Sequence, residues 1–141
     1  MGAWGAGIFD NDDAADWVYE LEQAGDDSVL AETLAAVANA GADAYVEAPD
    51  AAAALAAAAV VAAALTGSHD VLVAGGPYAE GALRWVEADA TRVRSELAPL
   101  ALSAVRRARD KSELRDLWDE AGADEWLAAV AEVERGLASG S

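Results

Sequence analysis

The sequence predicts an all-α protein, an irregular antiparallel bundle of about six or seven helices with an extended N-terminal arm. Three observations carry this expectation. Alanine, the strongest helix former, is abundant throughout and fills most of 51–65, a stretch without a single charge. Apolar residues recur at three- and four-residue spacing in one segment after another. Short clusters of Gly, Asn, Asp or Pro separate those segments, and short connections join helices as antiparallel neighbours. At 141 residues and 55% hydrophobic composition the chain has the size and apolar content of one domain. That domain is assigned to 1–137, with 138–141 read as a frayed tail.

Each element has its own signal. Asp10 or Asn11 can cap a first helix, and Asp12, Asp13 and Asp16 set negative charge against the positive end of its dipole. Ala14, Trp17, Val18 and Leu21 form its apolar stripe, and Gly25 is the expected stop. A second helix opens around Asp27-Ser28, buries Leu30, Leu34, Val37 and Ala38, and stops near 39–41. Residues 42–48 fit no element. Pro49 suits the first turn of a third helix, which is apolar all round and so belongs in the middle of the bundle until Thr66-Gly67 ends it.

The stretch 68–77 reads as a loop: Val71-Leu72-Val73 has the look of a short extended piece, but Gly75-Gly76-Pro77 interrupts it. A fourth helix covers 78–88, with Leu83 and Trp85 or Val86 inward. A fifth covers 90–109, broken or kinked by Pro99. Asp110 and Glu113 have capping-box spacing for a sixth helix through Trp118. Gly122 separates it from a last helix over 124–137 that buries Trp126, Leu127, Val130, Val133 and Leu137.

Cysteine is absent, which rules out disulfides and thiolate metal sites and fits the cytoplasm, the expected location. The first residues lack the basic region of a signal peptide. The longest uncharged apolar run, fifteen residues, is about 23 Å as a helix. A bilayer core needs about 30 Å, so no membrane span is expected. The net charge of −17 is unevenly spread: 1–83 contains fourteen carboxylates and no Lys or Arg, while 84–141 has twelve carboxylates and all nine basic residues. Nucleic acid is an unsuitable partner for such a surface, because phosphate neutralisation needs clustered cations. A basic protein suits it, and so does plain solubility.

The opening Met1-Gly2-Ala3-Trp4-Gly5-Ala6-Gly7-Ile8-Phe9-Asp10-Asn11-Asp12 and the later Ser112-Glu113-Leu114-Arg115-Asp116-Leu117-Trp118 carry a likeness. The chain resembles domain-of-unknown-function family 4259, whose members open M-G-A-W-G-x-G-x-F-x-N-D and carry S-E-L-x-E-L-W near the C-terminus, Asp116 replacing the usual Glu here. The resemblance implies a bacterial source and supplies neither an activity nor catalytic residues.

The densest candidate site is Asp10, Asn11, Asp12, Asp13 and Asp16. Its acids offer hard oxygen ligands to Ca²⁺ or Mg²⁺, but Ala14, Ala15 and Leu21 occupy the positions where an EF-hand loop needs a ligand, a glycine and a final ligand. Capping the first helix accounts for the same residues. Trp4, Gly5, Gly7 and Phe9 are read as anchors of the arm with glycines at tight turns, and Trp17, Leu114 and Trp118 as packing residues. Gly5-x-Gly7 lacks the third glycine and the lysine of a phosphate loop. His69, the one histidine, lies between Ser68 and Asp70, and adjacent loop residues seldom form a triad. Arg106, Arg107 and Arg109 suit the end of a helix dipole.

Three functions follow. The first is a non-catalytic binding protein, immunity-like or regulatory, with an acidic surface for a basic protein partner. The second is a divalent-metal-binding protein or metal-assisted hydrolase using Asp10, Asp12, Asp13 and Asp16. The third is a small-molecule binder in the helical core near the tryptophans. No cofactor is expected, and the missing cysteine and single histidine disfavour a metal-free nucleophilic enzyme.

Overall fold

A computed structural model describes residues 5–140. Among the described residues there are eight helices and no strand: α1 (Asp12–Glu22), α2 (Ser28–Ala38), α3 (Ala48–Thr66), α4 (Asp70–Ala74), α5 (Glu80–Ala88), α6 (Leu97–Asp110), α7 (Glu113–Ala121) and α8 (Asp124–Gly140). Short 3₁₀ turns occupy Gly76–Tyr78 and Ala90–Arg92.

Helix α3 is the axis and meets each of the other helices. Every residue over 51–63 is buried except Ala53, which is half-buried. Small side chains let the neighbours come close: a Cβ at Gly136 of α8 would stand 3.3 Å from the Ala62 Cβ. Bulk comes from the surrounding helices, including Leu21, Leu30, Leu34, Val105, Val130 and Leu137, all fully buried. At 19 residues and a mean hydropathy of 1.8, α3 also has the length and composition of a membrane span. The helix is longer than the fifteen-residue uncharged run because it also takes in Ala48, Pro49, Asp50 and Thr66. Yet 67% of that apolar stretch is buried inside the bundle.

The two ends of α3 are closed differently. Gly67 sits at φ 77° and donates its N–H to the Ala63 carbonyl, a left-handed cap that glycine adopts without a Cβ clash. At the other end Glu47 makes no side-chain cap. Instead the Glu113 carboxylate of α7 accepts the Ala48 N–H at 2.8 Å, and the Glu113 N–H donates to the Val46 carbonyl at 2.8 Å. The preceding segment is held by α6 and its end: Arg107 donates to the carbonyls of Ala40, Gly41 and Ala44, and Lys111 to that of Ala42. Glu113→Ala therefore removes the cap of the central helix and is expected to cost about 1–2 kcal/mol in chemical denaturation. Glu113→Gln keeps an acceptor and should lose less.

Several expectations need correction. Helix α6 starts at Leu97, so Pro99 lies in its first turn, where no backbone donor is required, and it makes no kink. Asp110 remains the last residue of α6 and does not cap α7. That cap is Ser112, whose Oγ accepts the Arg115 N–H at 3.1 Å and donates to the Ala108 carbonyl at 2.7 Å. Residues Val71, Leu72 and Val73 form a helical turn, α4, pinned by buried Leu72. Helix α1 stops at Glu22 before Gly25 is reached. Ala38, Leu83 and Leu127 are half-buried, and α8 continues to Gly140.

Candidate functional site

Residues 5–10, the described part of the expected extended arm, form a compact turn. The Asp10 N–H donates to the Gly7 carbonyl at 3.1 Å, and the Asp10 carboxylate accepts the Gly7 N–H at 3.1 Å. A Cβ at Gly5 or Gly7 would lie 2.6 or 2.7 Å from Asp10 Oδ2. Close approach to this carboxylate is what both glycines provide, since neither has a positive φ. Ile8 and Phe9 are buried and fasten the turn, while Trp4 lies outside the described residues.

Asn11 is the N-cap of α1: its Oδ1 accepts the Ala14 N–H at 2.8 Å and its Nδ2 donates to the Ile8 carbonyl at 3.3 Å. Asp10 and Asn11 are thus spent on local structure. Asp13 is half-buried, and burial, followed by the charges of Asp12 and Asp16, pushes its carboxyl above the usual carboxylate range. No three His, Asp or Glu side chains converge as metal ligands among the described residues.

What remains is the outer face of α1. Asp12, Asp16 and Glu20, four residues apart, are all exposed, with Tyr19 beside Asp16. No basic residue belongs to this helix. Like charges at this spacing are destabilising, and the dipole's help fades after the first turn, so helix formation does not call for Asp16 or Glu20.

The cations are engaged elsewhere. Arg84 pairs with Glu80 at 2.8 Å and Glu22 at 3.6 Å, and Arg94 with Asp27 at 2.9 Å. Arg106 and Arg109 both reach Glu134 at 2.9 Å, Arg109 also holds Asp110, and Arg115 holds Asp119. The arginine cluster stands at the end of α6, as expected, with Arg107 and Arg109 in its last turn; it also ties α6 to α8 and, through Arg107, fixes the loop after α2. Its hydrogen bond from Arg106, with the nearby charge of Arg109, keeps Glu134 below the usual carboxylate range. Asp27 is buried, which alone would raise its carboxyl, but hydrogen bonds from the Arg94 side chain and backbone hold it below normal. Arg92 lies over the Trp85 ring at 4.2 Å and donates to the Trp85 carbonyl.

The second motif is a structural joint. Ser112 caps α7, Glu113 caps α3, Leu114 is buried, and Trp118 stacks on Trp126 with centroids 6.4 Å apart and planes 13° from parallel. Gly7, Ile8, Asn11 and Asp13 meet Leu114, Trp118 and Trp126 around a cleft of about 20 Å³. That space admits one water molecule, while the other side of Trp118 borders an open depression of about 500 Å³ with Gly5, Ala6, Gly122 and Asp124. His69 makes no side-chain hydrogen bond to Ser68 or Asp70, which leaves no triad there.

One feature was not legible beforehand. A groove of about 190 Å³ runs between α1 and α5, with Ala15, Val18, Tyr19 and Glu22 on one wall and Tyr78, Glu80, Gly81 and Arg84 on the other. The helices approach here because residue 81 is glycine; a Cβ there would collide with the Glu22 carboxylate. The sole sequence signal was that glycine inside an otherwise helical pattern.

No curated protein and no solved structure matches the chain. The family model described as Domain of unknown function (DUF4259) matches residues 2–129, which take in the N-terminal turn, the acidic face of α1 and the joint made by α7; the chain belongs to that family.

Proposed function

We propose that the protein is a non-catalytic binding module, immunity-like or regulatory, that docks on a basic protein through the outer face of α1. The observation behind this reading is the allocation of charge. Eight of the nine Lys and Arg side chains, all but Arg135, are held by carboxylates or carbonyls of the same chain, while among the described residues no cation pairs with Asp12, Asp16 or Glu20. Such a face steers a cationic partner and binds it with strong dependence on ionic strength.

Asp16→Lys tests the reading. It turns two repulsive four-residue pairs into attractive ones, so the folded protein should gain about 0.5–1 kcal/mol. The same change should abolish capture of basic proteins at low salt by the immobilised chain. A variant that is more stable yet no longer binds would show charge kept for a partner at the expense of stability. Capture that is undiminished in the variant, or absent from the wild type at low salt, would overturn the proposal.

A further inference from the structure

We infer that the groove between α1 and α5 seats an arginine side chain of the basic partner, with Tyr19 as its stacking surface; this rests on the acidic docking face just proposed. Among the described residues four large apolar side chains are exposed, and two of them, Tyr19 at 68% and Tyr78 at 46%, flank this groove. Tyrosine is the residue type that interfaces concentrate, because it adds contact area at low entropic cost. Tyr19 stands three residues from Asp16, so its ring and that uncompensated carboxylate are neighbours on the helix surface, with the ring between the acidic face and the groove.

The groove lining adds Glu22 and Glu80 against the single charge of Arg84, and is itself net negative. Its volume, about 190 Å³, falls short of the roughly 300–1,000 Å³ of small-molecule sites and is of the order of a single side chain. Arginine is favoured over lysine because its planar cation stacks on an aromatic face while forking to carboxylates. Both halves of that chemistry already occur at this face: Arg84 bridges Glu22 and Glu80, and in the adjoining recess Arg92 lies over Trp85 at 4.2 Å.

Fluorescence anisotropy with labelled hexa-arginine and hexa-lysine at low salt separates the possibilities. The wild type should prefer hexa-arginine. Tyr19→Ala should weaken hexa-arginine binding about two- to fivefold and hexa-lysine binding less, with Tyr19→Phe close to wild type. Because Tyr19 is mostly exposed, an unchanged thermal melt is expected to accompany the loss. If Tyr19→Ala binds both peptides as the wild type does, or weakens both equally, the arginine seat is overturned while the acidic docking face stands. If the wild type binds neither peptide at low salt, both readings fall together.

Discussion

Phe9→Ala should lower the stability of the fold by about 3–5 kcal/mol, the range for deleting a buried aromatic ring. Phe9 is 1% exposed although it belongs to the N-terminal turn and not to a helix. Its ring lies against the backbone where α4 gives way to the following 3₁₀ turn: a Cβ added at Gly75 would stand 3.1 Å from Phe9 Cδ2. Removing the ring opens a hole among the N-terminal turn, α4 and α8, and how far these close over it sets the cost within that range. Domains of this kind have only about 5–15 kcal/mol in total, so the variant should melt far below the wild type. The effect also reaches the proposed docking face, because Asn11 caps α1 from a position two residues beyond Phe9 and bonds back to the Ile8 carbonyl. A loss below about 1 kcal/mol in urea titration would show that the turn is an appendage and not part of the core.

What could be read in the chain was whatever depends on near neighbours. The start of α1 was legible because the capping side chain, the first-turn acids and the apolar stripe all lie within a few residues. The burial of α3 was legible from its composition alone. Pro99 misled because a proline in a helical pattern has two meanings, first turn or kink, and the choice depends on where the helix begins. That beginning is set from afar: buried Asp27 accepts hydrogen bonds from the Arg94 backbone and side chain, 67 residues away, and pins the chain just before α6. Ser112 and Asp110 are both good caps, and only the packing of Glu113 onto the end of α3 decides between them. Helix α4 has five residues, too few to display a helical period. For the candidate site, the excess of acid was plain from a count. Which acids stay uncompensated was not, since spacing gives no hint that Arg107 and Lys111 turn to carbonyls and Arg106 and Arg109 to α8.

Ala58→Leu in α3 should cost about 1–3 kcal/mol or more through overpacking. Ala58 is fully buried, in a helix surrounded by the other seven, and three extra carbon atoms have no free space to enter. Intrinsic helix preference does not explain such a loss, because Leu is nearly as good a helix former as Ala. Ala53→Leu is the matched control: that position is half-buried, and the larger side chain can lie toward solvent with little change. The pair also separates the two readings of an apolar helix of 19 residues. Facing lipid, leucine would be the more favourable residue at either position. Packed by alanine against alanine and glycine, as at Ala62 and Gly136, the same substitution forces neighbouring helices apart. Denaturation midpoints that fall for Ala58→Leu and hold for Ala53→Leu are the expected result. Equal stability of the two variants would mean that α3 is not enclosed on all sides, and the role assigned to its alanines would have to be given up.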